Sequence, residues 1–360
     1  MIKASRKSSS QPSKTTGLQG PPLFPPPAKT LEFFVNYACN AKCPFCFNPP
    51  DASPELEKGL PFPELARRMF AGFAEGYRGI KFIGGEVTIR DDLPKILGLA
   101  RKIGFTQIQV TTNGIRMGDG RYVRSLLRQG MTHVRFSIHG HTPELHDRLV
   151  QVPGALAKIE RAAAHLRAAG IPMGVNYVLN RLNYERLPET LDWFYERLGL
   201  SDIIVYFLRY QGFGALPKNK ELLRLRMSEA SPFVLEAFRR LKAAGRSPLP
   251  TLIHFPPCAV PGLEDHILDW TVDPTGSGQG NTREDRVTLP DRTVGKIHEI
   301  TNSGKRKIAV CASCSLNERC LGVETNYLNE FGDKEFRPLA LTGAARHLSP
   351  SPSGRGRGRA

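Results

Sequence analysis

Three cysteines near the start of the chain, Cys39, Cys43 and Cys46, form a CxxxCxxC array at the end of the run Phe33-Phe34-Val35-Asn36-Tyr37-Ala38-Cys39-Asn40-Ala41-Lys42-Cys43-Pro44-Phe45-Cys46. Pro44, Pro49 and Pro50 discourage a helix, so the array reads as a short open loop whose thiolates converge on one cubic iron-sulfur cluster. Three thiolates leave one iron of a four-iron cluster without a protein ligand, and such an iron can bind a substrate or cofactor chelate directly. Two plainer readings fit the same spacing: a zinc ion with a fourth ligand from elsewhere, or three reduced cysteines in a core. The other four cysteines stand late in the chain, Cys258 alone and Cys311, Cys314 and Cys320 as CxxCxxxxxC. Four thiolates are a complete ligand set for one cluster or for one zinc, and no cysteine is left over.

The elements that must position these loops follow a βα rhythm. After the first apolar run, strands are expected at 79–83, 107–112, 133–138, 172–179 and 202–208, with helices at 62–77, 91–103, 121–128, 155–169 and 185–198 between them. Asp91 and Asp92 suit the start of the second helix and Gly104 its end. Six strands with right-handed crossovers build a parallel sheet, either curled into a partial (β/α)6 TIM-like barrel or left as an open doubly wound sheet. In both architectures ligands collect at the C-terminal ends of strands. The second strand ends in Gly84-Gly85-Glu86, where glycine admits a ligand close to the backbone and Glu86 can accept from an ammonium group. The third ends in Thr112-Asn113-Gly114, equally an ordinary turn or a ligand contact. On the fourth, Val134, Phe136 and Ile138 alternate with His133, Arg135 and Ser137, which puts Ser137 on a polar inner face. His139, His141 and His146 are spread over a loop and suit capping or solvation better than metal ligation.

Together the CxxxCx(aromatic)C loop after an apolar strand and the Gly84-Gly85-Glu86 turn resemble the radical S-adenosylmethionine (SAM) superfamily over about residues 31 to 215. The resemblance implies a partial barrel of six βα units in which Cys39, Cys43 and Cys46 ligate a 4Fe-4S cluster whose open iron is chelated by SAM. It further implies that Phe45 sits near the adenine, that Gly84, Gly85 and Glu86 bind the SAM amino group, and that Ser137 contacts the ribose or carboxylate. Arg148, in a His146-Asp147-Arg148 run that echoes a family pattern, would meet a carboxylate, and Val178 would pack on the adenine. Val87 stands where the family often has Pro, and His139 where many relatives carry Asp. The late CxxCxxxxxC element resembles part of the SPASM and twitch extensions that follow many such barrels. Position 324 is Glu and no cysteine follows Cys320, so the one-cluster, twitch-like version is expected, with a second 4Fe-4S cluster on Cys258, Cys311, Cys314 and Cys320 and zinc as the alternative.

The formal charge of +16 is partly a property of the ends: residues 1–29 and 343–360 carry nine cations and no acid, leaving +7 for the body. Both tails are rich in Ser, Pro or Gly and read as disordered. The expected organisation is a basic tail over 1–29, the core over 30–215, a helical connector over 216–257, a smaller C-terminal cysteine-rich domain over 258–342 and a second tail over 343–360. No run of about 18 apolar residues occurs and no signal-peptide core is present, so a cytoplasmic location without a membrane is expected, where thiols stay reduced. Surplus charge in tails argues against nucleic acid as the partner. The expected activity is reductive cleavage of SAM to a deoxyadenosyl radical that takes a hydrogen from a peptide or protein side chain, with an electron donor such as flavodoxin or ferredoxin. The alternatives are the same chemistry on a small metabolite or cofactor precursor, or a non-catalytic iron-sulfur or zinc protein. Fewer than 40 residues precede the loop, so a separate leader-binding domain is not expected.

Overall fold

The computed structural model describes residues 29–271 and 285–340, so the two tails, Lys29 apart, and the Gly-rich insert lie outside the described residues. Six strands come first: β1 Thr30–Phe34, β2 Gly79–Ile83, β3 Gln107–Thr112, β4 His133–Ser137, β5 Met173–Leu179 and β6 Asp202–Phe207. The helices between them are α1 Pro54–Lys58, α2 Phe62–Ala74, α3 Leu93–Ile103, α4 Gly120–Arg128, α5 Pro143–Val150, α6 Ala155–Ala168 and α7 Leu187–Glu196. Consecutive strands are neighbours and all pair in parallel, as repeated right-handed βα units require. The helices bury one stripe each, Leu65 and Met69 on α2 and Ile96, Leu97 and Ala100 on α3, at the spacing that gives a helix one apolar face. Asp92 does not cap α3, because both of its carboxylate oxygens accept from Arg90, and the helix starts two residues later than Asp91, at Leu93-Pro94.

The α/β expectation holds, and the sheet is longer than six strands. Past α8 Pro217–Leu223 and α9 Met227–Ala243, β7 Thr251–Ile253 joins β6 in parallel. At the other edge β8 Arg286–Thr288 pairs with β1, and β9 Val294–Lys296 runs antiparallel to β8. Each of these strands has three residues, too few for an alternating pattern to register in the sequence. The order is β7-β6-β5-β4-β3-β2-β1-β8-β9, and among the described residues the end strands do not pair, so the sheet stays open. The C-terminal segment adds α10 Ile297–Asn302, the small antiparallel pair β10 Lys305–Arg306 and β11 Val323–Glu324, and α11 Thr325–Phe331.

The sheet face turned away from the helices is polar. Glu32 stands in register with Lys81 and Lys81 with Gln109, and Arg135 pairs with Asp202. Burial raises the Glu32 carboxyl above its usual range, opposed by the Lys81 ammonium. This inner strip is what the alternation on β4 foretold. Among the described residues no helix is long and apolar enough to cross a membrane.

Candidate active site

The cysteine loop is built on the turn after β2. Gly85 N–H donates to Asn36 O at 2.7 Å and Glu86 N–H to Ala38 O at 2.8 Å, so the chain entering the loop continues the sheet's hydrogen bonding beyond Phe34. A Cβ on Gly85 would lie 2.2 Å from the carbonyl oxygens of Tyr37 and Ala38, and one on Gly84 2.6 Å from Asn36 O. The close backbone that these glycines admit is therefore the cysteine loop itself. Further bonds fix the rest of the loop: Tyr37 and Ala38 donate to the end of α1 at 3.2 and 3.1 Å, Lys42 N–H to Val150 O at 3.1 Å, and Gly214 N–H to Cys46 O at 3.3 Å. Arg90 donates to Val35 O at 2.8 Å from below.

The three thiols meet at the C-terminal edge of the sheet. Burial pushes Cys39 up to about 11, with Glu86 and Cys46 adding to it, and burial with the other two cysteines raises Cys43 well above the ordinary thiol range. Such a sulfur set becomes thiolate when iron or another cation supplies the compensating charge. Among the described residues His254, Asp269 and Glu324 form a group whose ligand atoms all lie within 4.8 Å of one another.

Glu86 is buried and already accepts four hydrogen bonds: from Thr88 N–H at 2.9 Å, Thr88 Oγ1 and Thr112 Oγ1 both at 2.6 Å, and Asn113 N–H at 2.7 Å. Its carboxylate ties the end of β3 to the turn after β2, a tether that sequence reading missed because Thr88 and Thr112 carry no motif of their own. Asn113 is both the turn and a contact: Oδ1 accepts from Ile115 N–H at 3.1 Å, while Nδ2 donates to Asn40 Oδ1 at 2.7 Å and lies 3.9 Å from Cys39 Sγ.

Phe45, His139 and Val178 come together on the far side of the loop. The Phe45 ring meets His139 edge-on at 4.5 Å, and His139 Nδ1 accepts from Val178 N–H at 3.1 Å. His146 Nδ1 accepts in turn from His139 N–H at 3.1 Å. Both imidazoles are buried, and desolvation holds His139 well below and His146 down at about 4, so these rings are neutral supports. Ser137, in register with Asn176, faces the inner strip, and its hydroxyl has no hydrogen-bond partner among the described residues. Arg148 stands apart, exposed on α5, and Asp147 caps α6 by accepting from Gly154 and Leu156 N–H at 2.6 and 2.8 Å.

The second set also converges. Cys258 follows β7, Cys311 lies in the 3-10 turn Ala309–Ser313 with Cys314 just after it, Cys320 precedes β11, and all four line one small pocket with Pro257 and Val323. Burial, then Cys320, Cys311 and Cys314, push Cys258 up to about 12. Gly322 has φ 96°, and a Cβ there would lie 2.1 Å from Arg306 O, so the chain turns tightly beneath Cys320. Phe207, at the end of β6, packs edge-on against Tyr327 of α11 at 5.7 Å, which joins this segment to the sheet.

Residues 34–194 match the family model of the Radical SAM superfamily. A PqqA peptide cyclase of Granulibacter bethesdensis is 30% identical over 215 residues, covering 58% of this chain and 55% of that protein. One of Ruegeria pomeroyi is 26% identical over 345 residues, covering 93% and 90%. Apart from the latter, the chain spans about half the length of the curated relatives it matches. Among solved structures, SuiB of Streptococcus suis bound to S-adenosylmethionine superposes with a TM-score of 0.59 at 16% identity, over 87% of this chain and 76% of that one, a likeness of fold.

Two outcomes follow from the geometry. Gly85→Ala forces the cysteine loop off the turn; it lowers stability by about 1–3 kcal/mol and removes the about four irons of the first set, read by denaturation and by iron analysis after reconstitution. His146 is depressed from its unfolded value of about 6.5 to about 4, so the unfolded chain binds the extra proton between those values. Stability is therefore intact above about 6.5 and falls by up to roughly 3 kcal/mol as the pH drops to about 4. His146→Gln, which can still accept from His139 N–H, flattens that slope in thermal melts.

Proposed function

Since the domain over residues 34–194 belongs to the radical SAM superfamily, we propose that the chain is an enzyme that cleaves SAM at the three-cysteine loop and abstracts hydrogen from a peptide side chain. The observation that carries the reading is the seat of Cys39, Cys43 and Cys46: three thiols at the C-terminal edge of a parallel sheet, stitched to the Gly84-Gly85-Glu86 turn by two backbone bonds. A 4Fe-4S cluster with SAM on its open iron supplies reductive cleavage to methionine and a deoxyadenosyl radical that takes the substrate hydrogen.

The chain's own residues would hold and orient that chemistry. Cys39, Cys43 and Cys46 would hold the cluster. The carbonyls of the Gly84-Gly85 turn and the Glu86 carboxylate draw the ammonium of SAM, while Thr88, Thr112 and Asn113 keep Glu86 oriented. Phe45 and Val178, braced by His139, offer an apolar wall for the adenine, and the free Ser137 hydroxyl a partner for ribose or carboxylate. Arg148, exposed on α5, is the weakest member of the set and would reach a carboxylate only from the rim. Cys258, Cys311, Cys314 and Cys320 would hold a second 4Fe-4S cluster in a twitch-like domain, a reading supported by their convergence on one pocket. Likeness to PqqA peptide cyclases supports a peptide as substrate. The electron comes from a flavodoxin- or ferredoxin-class donor.

Anaerobic reconstitution tests this. Wild type is expected to take up about eight irons and to form deoxyadenosine from SAM with a strong reductant. Cys39→Ala keeps about half the iron and forms none; Cys314→Ala also keeps about half and still forms it. Iron in the first set without deoxyadenosine or SAM binding contradicts the reading, and one zinc per chain at the second set corrects that part alone.

A further inference from the structure

Between the two cysteine sets lies a buried cluster of charge that neither set explains. His254 directly follows β7, with φ 68°, a left-handed conformation that costs a non-glycine residue about 1–3 kcal/mol. Its N–H donates to both carboxylate oxygens of Asp269, at 3.0 and 3.1 Å. Its Nδ1 lies 3.0 Å from Asp269 Oδ2 and 3.3 Å from Glu324 Oε1. A carboxylate only accepts, so Nδ1 is the donor to the carboxylates and Nε2 is the nitrogen left for another partner. Nε2 has no hydrogen-bond partner among the described residues, and His254 retains 8% exposure.

The groups around it are charged on both sides. Lys305 Nζ sits 2.6 Å from Asp269 Oδ2 and 4.0 Å from Glu324 Oε1, and Arg209 Nη2 3.2 Å from Glu324 Oε2. With an ammonium already among these oxygens, the His-Asp-Glu group has no need of a metal ion. Burial disfavours the Asp269 carboxylate, but the His254 hydrogen bond and Lys305 outweigh it and hold the carboxyl well below its usual range. Glu324 has neither oxygen in a well-formed hydrogen bond although its side chain is buried. The Tyr206 ring, 6.0 Å from the imidazole, sits on β6 among the inner-strip residues. The cluster also bridges the sites: Arg209 opens the segment whose Gly214 N–H binds Cys46 O, and Asp269 precedes Trp270, whose carbonyl accepts from Leu321 N–H next to Cys320.

We propose that His254, oriented by Asp269 and Glu324, is the base that takes the proton released when a substrate radical is oxidised, a role that rests on the radical reading above. A carbon radical beside an X–H bond becomes a closed-shell product by losing one electron and one proton. The one-electron oxidant would be an oxidised iron-sulfur cluster held by Cys258, Cys311, Cys314 and Cys320. The X–H bond breaks, its electron pair completes the new bond, and its proton moves to Nε2. The imidazolium so formed faces two carboxylates, which stabilise it.

Diethyl pyrocarbonate, which acylates an imidazole nitrogen that has a free lone pair, reads this directly in the reconstituted full chain, followed by peptide mass spectrometry. His254 is expected to react at least tenfold faster than the sealed His139 and His146 of the same molecule. Asp269→Asn should slow it about tenfold, and Asp269→Glu should restore it. Reaction of His254 no faster than His139, or no change in a folded Asp269→Asn variant, overturns the proposal. Deoxyadenosine formation by the same wild-type sample is scored separately: its absence sinks the radical reading whatever His254 does.

Discussion

Everything at the candidate active site depends on two backbone hydrogen bonds, Gly85 N–H to Asn36 O and Glu86 N–H to Ala38 O. They carry the pairing of β1 and β2 past the end of both strands, so the first cysteine emerges at a position set by the sheet. No side chain fits between the two segments, and that is why the turn is Gly-Gly. Glu86 then passes the same constraint to β3 through Thr112 and Asn113, and Asn113 returns it to Asn40 and Cys39. Three strand ends are thereby locked around one loop. A loop held this way can present three sulfurs in fixed positions although it has no regular structure of its own.

Charge is the second organising constraint. The inner strip carries Glu32, Lys81, Arg135 and Asp202 paired across strands, and the top of the sheet repeats the device with Arg209, His254, Asp269, Lys305 and Glu324. Buried ions are tolerable only when paired. The upper group draws its members from β6, β7, β10 and β11 and the loops beside them, so it also fastens the C-terminal cysteine segment to the sheet and brings Cys258 to Cys311, Cys314 and Cys320.

Local features were legible in the sequence. The βα rhythm, the cysteine loop and the inward position of Ser137 all depend on short spacing and alternation, and all stand where the sequence reading put them. Two features show more than the sequence did. The glycines at 84 and 85 also make room for the chain's own backbone, and the Asp92 side chain pairs with Arg90 instead of capping α3. Least visible were features made by long-range meeting. β7, β8 and β9 have three residues each, below the length at which periodicity speaks, and His254, Asp269, Lys305 and Glu324 share no motif until the fold joins them.

The most direct measurement is the electron paramagnetic resonance spectrum of the reduced Cys314→Ala variant, which retains only the first cysteine set, recorded with and without SAM. Direct binding of SAM to an iron that Cys39, Cys43 and Cys46 leave open predicts a changed spectrum on addition of SAM. Superimposable spectra in a sample shown to contain the reduced cluster would contradict it, and the loop would then be a cluster holder without SAM chemistry.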